Sequence, residues 1–177
     1  IGGAADAAAL ASQWQKLTEQ YAAEGAQRTE AISRDYVVWA DFRQQIPPDW
    51  QAGGLGLRVG PTASGEIFLS PDGPAIASVL PAGTYTHRSS QRLNGTLRSP
   101  VIPAGKKNIS FLVCGQRSSA VRLVSNHCQL NYKNYKALIS PELTWVTFSP
   151  PAERQELRTY AELMTMLDNP KFPDQLS

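Results

Sequence analysis

Residues 92–115, RLNGTLRSPVIPAGKKNISFLVCG, combine short apolar segments with glycine and proline at regular intervals. Gly95 and Pro100 bracket a predicted strand, because proline lacks the donor that the interior of a strand needs. The run Pro103–Gly105 predicts a turn, and the alternating residues 109–113 after it predict a strand that fills the core. This stretch therefore has the pattern of β-framework and contains no catalytic motif.

The same pattern recurs from Tyr36 onward, where short apolar or alternating runs are separated by Gly, Pro, Asn and Ser. Strands this short and this regularly interrupted are typical of an all-β sandwich. The alternation in 109–113 and at Val121 and Leu123 predicts two facing strands of one hairpin around the segment GQRSSA. We expect Arg98 to anchor a carboxylate in a loop. The predicted fold is mainly β, an antiparallel β-sandwich (jelly roll) with a long N-terminal α-helix.

The predicted helix occupies residues 4–34, which contain no proline and are rich in Ala, Gln and Glu. Apolar residues recur there at spacings of four, three and four, which makes a narrow stripe on one helical face. The stripe consists of Leu10, Trp14, Leu17 and Tyr21. Because it is narrow, we expect this helix to dock on a single neighbour.

Three segments follow from these patterns: a helical connector at 1–34, a β-sandwich module at 35–168, and the start of a linker at 169–177. The chain has 177 residues, of which 42% are apolar and 18% charged, as in a globular domain. Its formal net charge of +2 does not suggest a nucleic-acid partner, and no apolar run reaches the roughly 20 residues of a membrane span. Since the chain begins at Ile1, we interpret it as a piece of a longer protein.

The sequence offers no recognisable catalytic or metal-binding constellation. The histidines, His87 and His127, lie far apart and belong to no cluster with metal-ligand spacing. A G-x-S-x-G elbow is absent, and the glycine-rich GGLGLRVG lacks the Lys-Ser/Thr of a phosphate loop. We attribute the acids in or beside strands to surface solvation or turn capping; they are Asp35, Asp41, Glu66, Glu142 and Glu162. We therefore predict that the chain is not an enzyme and holds no transition-metal ion.

Two cysteines, Cys114 and Cys128, are present. In the hairpin predicted above they lie too far apart for a disulfide, which needs Cα atoms within about 7 Å. We expect buried free thiols.

Two loop-like segments, 83–95 (GTYTHRSSQRLNG) and 126–138 (NHCQLNYKNYKAL), are dense in Tyr, His, Arg, Gln and Asn. Sugar sites use this mixture, because aromatic faces stack on C–H surfaces while amides and guanidinium groups bond hydroxyls. The alternative is a polar surface with tyrosines that cover the edge of the sandwich. The candidate ligand-binding residues are Tyr85, His87, Arg88, Gln91, Arg92, Asn126, Tyr132 and Tyr135.

The order of several segments resembles a known β-sandwich module. The segments are WADF, DWQAGGLGL, HRSSQRLNGTLRSPVI, ISFLVCG, AVRLVSNHCQL, LTWVTFS and TYAELMTMLDNPKFPD. The module is embedded in large planctomycete-type proteins that carry cytochrome c domains, and the resemblance covers roughly residues 36–170. More distantly, the chain is similar to the jelly-roll modules attached to fructan-hydrolysing glycosidases. Both have a G-x-L-x-S-P segment before a strand that ends Phe-Leu-Val-x-Gly.

The resemblance implies a galactose-binding-like jelly roll inside a secreted or periplasmic bacterial multidomain protein, with carbohydrate as the ligand class. It does not extend to electron transfer, because this chain has no haem motif. Jelly-roll modules of this kind often hold a structural Ca²⁺ ion; few acids cluster in the loops here, so calcium stays an open option and no other cofactor is expected.

Two functional hypotheses follow. The first is a non-catalytic carbohydrate-binding module whose partners are a polysaccharide or oligosaccharide and the neighbouring domains of the parent chain. Tyr85, Tyr132 or Tyr135 would then be stacking platforms, and Arg88 and Arg92 would bond sugar hydroxyls. The second is a structural or protein-interaction domain that holds neighbouring domains in place without binding sugar.

Overall fold

The computed structural model describes residues 4–62, 66–69, 76–127, 134–149 and 158–170. The chain divides into two compact units, Ile1–Ala40 and Asp41–Ser177.

The first unit contains helix α1, Ala4–Asp35. Pairs spaced four residues apart support it on the exposed side, since such residues are neighbours on a helix. Gln20 donates to Glu24 at 3.0 Å, and Arg28 lies 3.7 Å from the same carboxylate. The side chains of the predicted apolar stripe at 10, 14, 17 and 21 lie outside the described residues. No helix among those described has the length and apolarity needed to cross a bilayer.

The second unit is built of short strands, and every strand pair described in it is antiparallel. The strands are β1 Gln51–Gly53, β2 Pro61–Thr62, β3 Glu66–Leu69, β4 Ile76–Leu80, β5 Gly83–Thr84, β6 Thr96–Arg98, β7 Ile109–Val113, β8 Ala120–Ser125, β9 Tyr135–Ala137, β10 Thr144–Phe148 and β11 Thr159–Met164. Two 3-10 turns cover Leu55–Leu57 and Met166–Asp168. The prediction of a mainly β chain with antiparallel strands is confirmed at this level, and the sandwich or jelly-roll arrangement stays a prediction.

The largest sheet has five strands in the order β1-β6-β11-β8-β9, and β11 is its central strand. Three two-stranded sheets, β7 with β10, β2 with β5 and β3 with β4, complete the described pairing. All six residues of β8 are buried, so both faces of this strand are covered. Phe111 on β7 and Phe148 on β10 are buried with their rings edge to face, 6.2 Å between centroids.

The predicted hairpin between residues 109–113 and the strand carrying Val121 is wrong. Strand β7 pairs with β10 in a register that places Phe111 opposite Val146. Strand β8 instead pairs along its whole length with β11 on one edge and through Ala120–Arg122 with β9 on the other. The disulfide argument built on that hairpin therefore loses its basis. Cys114 carries a free thiol whose pKa is raised by burial, and Cys128 lies outside the described residues.

Within residues 92–115, glycine and proline mark the ends of the strands at the predicted positions. Strand β6 lies between Gly95 and Pro100, and Gly105 makes the turn before β7 with a φ of 78°. Of the residues in β7 only Phe111 is buried, and Leu112 is 46% exposed. The strand therefore presents one face to the interior and the other to solvent.

Candidate functional site

The register of the five-stranded sheet aligns one residue from each strand in a row of polar side chains. Arg98 on β6 pairs with Gln51 on β1 and with Glu162 on β11. Glu162 in turn pairs with Arg122 on β8, which pairs with Tyr135 on β9. Because directly opposed residues point to the same side of a pleated sheet, all five share one face. We call this set the polar row.

The centre of the polar row is an Arg–Glu–Arg triad. Glu162 is 2% exposed, and its Oε1 accepts from Nε and Nη2 of Arg98 at 2.8 and 2.6 Å. Its Oε2 accepts from Nε of Arg122 at 2.7 Å and lies 2.5 Å from Nη2 of the same residue. A buried carboxylate is tolerated only when charges and donors compensate it, and here each oxygen faces a guanidinium edge. The triad carries two positive charges and one negative charge.

The two arginines differ in their access to solvent. The Arg122 side chain is 11% exposed, whereas that of Arg98 is 45% exposed. The guanidinium carbon of Arg98 lies 5.2 Å from the ring centroid of Tyr160, which is two residues before Glu162 and so on the same face. The His127 ring is 6.3 Å from that of Tyr160. Arg98 is therefore an accessible cation held in place by a buried carboxylate and an aromatic ring.

The far end of the polar row is tied to the chain after β11. The amide nitrogen of Asn169 donates to the Tyr135 hydroxyl at 2.8 Å and to the Ser118 carbonyl oxygen at 2.6 Å. Asn169 is buried, so these bonds satisfy an amide that water does not reach. Tyr135 is thereby held at the edge of the sheet.

The aromatic residues of segment 83–95 point inward. Tyr85 is buried, donates its hydroxyl to the Pro81 carbonyl oxygen at 3.1 Å, and contacts the His87 ring at 5.7 Å. Burial, with the nearby Cys114 charge as the second cause, raises the pKa of Tyr85 to about 12. Burial likewise lowers the pKa of His87. Tyr85 belongs to the packing beneath this segment, and the partly buried His87 ring lies against it.

Arg88 is used internally in the same segment. Its Nη1 donates to the carbonyl oxygens of Gly60 and Pro61 at 3.1 and 3.3 Å, and its Nη2 forms an ion pair with Glu66. The side chain is largely buried and ties the β2–β3 region to the loop before β6. Gln91 and Arg92 are exposed. Of the candidates in this segment, these two are the ones accessible to a ligand.

Asn126 and segment 83–95 lie at opposite ends of the sheet. Segment 83–95 leads into Thr96, which pairs with Met164 at one end of the sheet. Asn126 follows Ser125 at the other end of β8, so strands of roughly 17 Å separate it from that loop. The Oδ1 of Asn126 accepts from the backbone N–H of Arg158 at 3.2 Å, which joins the residue after β8 to the residue before β11. Tyr132 lies outside the described residues.

An open hollow of about 390 Å³ lies beside segment 83–95. It is lined by Ala52, Gly54, Leu55, Leu57, Arg58 and Asn94. The Oδ1 of Asn94 accepts from the backbone N–H of Leu55 at 3.1 Å, and its Nδ2 donates to Asp168 at 3.3 Å. The glycine-rich segment thus forms a 3-10 turn against the loop.

The sequence alone does not predict the polar row. It predicts that Glu162 is solvated at the surface or caps a turn, and that Arg98 anchors a carboxylate in a loop. Both attributions are wrong, because Glu162 is buried within a strand and is itself the partner of Arg98. One signal was available. Single charges of opposite sign interrupt two apolar strand patterns, Arg122 in AVRLVS and Glu162 in TYAELM. Charged residues are almost never fully buried unless paired, so such positions call for a partner on a neighbouring strand.

Metal binding finds no support in the side chains described: within that part of the chain, no three His, Cys, Asp or Glu residues group closely enough to hold an ion. Comparison of the chain with protein-family models, curated proteins and solved structures finds no match.

Proposed function

We propose that the β-rich unit is a non-catalytic carbohydrate-binding module of a larger secreted or periplasmic bacterial protein. The observation that carries the proposal is the half-exposed Arg98 guanidinium, anchored by buried Glu162 and lying over Tyr160. A guanidinium group presents parallel N–H donors that bond vicinal hydroxyls. Because its partners already hold the side chain, binding a sugar costs little further side-chain entropy.

The exposed part of the polar row is its β1–β6 end. Gln51 and Arg98 are exposed, whereas Glu162 and Arg122 at the centre of the row are buried, so a glycan reaches the row from that end. Gln51 is exposed at one end and Tyr135 is half-buried at the other. Of the residues singled out from sequence, Tyr135 belongs to this row. Tyr135 lies beyond the buried Glu162 and Arg122, so the revised set of ligand contacts is Gln51, Arg98, Tyr160 and His127.

Glu162 has a structural task in this proposal. A general acid or base must reach a proton of the substrate, whereas both oxygens of this buried carboxylate are engaged by arginines. We therefore assign Glu162 to the positioning of Arg98 and Arg122. The proposed module binds its ligand without chemical change.

A protein-interaction domain is the second candidate, and a specific observation favours it. On β7 and β10 the directly opposed residues Leu112 and Trp145 are 46% and 51% exposed. Ile67 and Val79 form a similar exposed pair on β3 and β4. Exposed apolar patches of this kind mark contact surfaces for other proteins or domains. In this alternative the chain positions its neighbours and the polar row only stabilises the sheet.

The test is a binding assay of the whole chain against soluble and insoluble polysaccharides. Tyr160→Leu removes the ring below Arg98 without touching the triad, and we expect it to weaken binding roughly three- to tenfold. Trp145→Ser is the matched control on the separate β7–β10 pair, and we expect unchanged affinity.

Three other results have distinct meanings. Loss of binding in Trp145→Ser with full binding in Tyr160→Leu would move the sugar site to β7 and β10. Binding that survives both substitutions would retain the function and discard the polar row. An unmodified chain that retains no glycan would refute the carbohydrate proposal in favour of the interaction domain.

A further inference from the structure

The charges on the polar-row face suggest which glycans this surface takes. Resting on the carbohydrate-binding function proposed above, we infer that the ligand is an acidic glycan, with a sugar carboxylate bound to Arg98.

The described residues on this face of the sheet carry an excess of positive charge. Arg98 and Arg122 contribute two positive charges, and Glu162 contributes one negative charge. The other residues whose register places them on the same face are Gln51, Gly53, Thr96, Ala120, Val124, Tyr135, Ala137, Tyr160 and Met164. None of these is an acid, so one positive charge lacks a counter-charge on this face of the described strands.

Burial makes that excess charge significant. Arg122 is 11% exposed and Glu162 is 2% exposed, so water screens this part of the triad poorly. Charges interact more strongly where water is excluded, and a net charge there favours an approaching ion of opposite sign. A neutral sugar would satisfy N–H donors here but would leave the charge uncompensated.

Arg98 also has the donors that a carboxylate needs. A guanidinium group has five N–H bonds, and Glu162 takes one from Nε and one from Nη2. Nη1 of Arg98 has no partner among the described residues, so the edge formed by Nη1 and Nη2 retains three N–H bonds. This edge matches the two oxygens of a planar carboxylate, and the side chain is 45% exposed.

The experiment compares two polymers with the same backbone, polygalacturonate and its fully methyl-esterified form, with the whole chain as the binding partner. We expect the acid to bind at least about tenfold more tightly, the range for a hydrogen bond to a charged group. Alginate is a second acidic probe, and added salt is expected to weaken the binding of both acids.

Gln51→Glu tests the site while leaving all three residues of the triad in the sequence. Gln51 is the exposed β1 neighbour of Arg98, so a carboxylate there competes for the same guanidinium group. We expect it to weaken polygalacturonate binding about tenfold and binding of the ester, which has no carboxylate to displace, by a much smaller factor. Gln116→Glu is the matched control, because it adds the same charge at an exposed position between β7 and β8.

The outcomes separate the two proposals. Equal affinity for acid and ester, unaffected by Gln51→Glu, would overturn the acidic-ligand inference while the carbohydrate function stands. Equal weakening by Gln51→Glu and Gln116→Glu would show attraction to net charge alone and would also overturn it. Retention of no polymer, acidic or neutral, would overturn both.

Discussion

Glu162→Gln is the substitution that tests the architecture of the sheet most directly. It keeps the size of the side chain and removes the negative charge between two guanidinium groups. The substituted amide would offer one carbonyl oxygen where the carboxylate offers two acceptors. Arg122, which is 11% exposed, would then remain in the interior without a counter-charge.

The expected loss is large because a charge is stranded where water cannot reach it. Removing one partner of a buried ion pair costs about 3–5 kcal/mol of unfolding free energy. Domains are stable by about 5–15 kcal/mol, so this substitution removes a large share of the total. At roughly 2–4 °C per kcal/mol for a chain of this size, the melting temperature should fall by about 6–20 °C.

Urea unfolding followed by tryptophan fluorescence measures the effect. Glu142→Gln is the matched control, because Glu142 is exposed and its substitution should change stability by no more than about 0.5 kcal/mol. The reasoning also predicts that Arg122→Met costs more than Arg98→Met, since Arg98 is 45% exposed and its partner gains access to water. A loss below about 1 kcal/mol for Glu162→Gln would refute the picture of a buried, mutually compensating triad.

Three further predictions concern packing, titration and hydrogen bonding. In Gly56→Ala the new Cβ would lie 2.7 Å from the Thr86 carbonyl oxygen, so we expect urea unfolding to show a free energy of unfolding lower by about 1–3 kcal/mol. Gly53→Ala is the control, because its Cβ would have no neighbour within 4 Å and stability should hardly change. Burial lowers the pKa of His87 in the folded chain. As the pH falls below about 6.5, His87 therefore becomes protonated in the unfolded chain before it does in the folded chain, and this favours unfolding. The contribution of His87 to the free energy of unfolding is thus present above about pH 6.5 and is lost as the pH falls towards the folded pKa. Unfolding curves between pH 8 and 5 should therefore decline less in His87→Gln, and an identical decline would contradict the assignment. Asn169→Ala removes the amide that donates to the Ser118 carbonyl oxygen and the Tyr135 hydroxyl, and we expect it to lower the free energy of unfolding by about 1–3 kcal/mol. Thermal unfolding measures the loss, and an unchanged melting temperature would contradict the prediction.

The positions of strands could be predicted from the sequence, whereas the partner of each strand could not. Punctuation by Gly95, Pro100 and Gly105 located β6 and the turn before β7, because glycine and proline act on the local backbone. The partner of β7 could not be inferred in the same way. Alternation in β7 is compatible with any strand that offers an apolar face, and β10 lies about thirty residues further along.

The same limit applies to the candidate site, where the chemistry of each side chain could be predicted but its contacts could not. Composition singled out Tyr85 and Arg88 for their chemistry, but burial and internal bonds use them to hold the loop. Conversely, Glu162 and Arg122 looked like ordinary strand charges until the register placed them opposite each other. The type of residue determines which hydrogen bonds a side chain can form, but only the folded structure shows which of those bonds are formed within the protein.

The sequence by itself determined a mainly β chain with short antiparallel strands, because side-chain alternation and turn residues act over a few neighbouring positions. The tertiary structure alone decided the order β1-β6-β11-β8-β9 and, with it, the polar row from Gln51 to Tyr135. The physical reason is that strand pairing joins segments far apart in the chain through backbone hydrogen bonds that almost every residue type can form. The register of those bonds, which is set by the packing of whole strands, brings Arg98, Glu162 and Arg122 together.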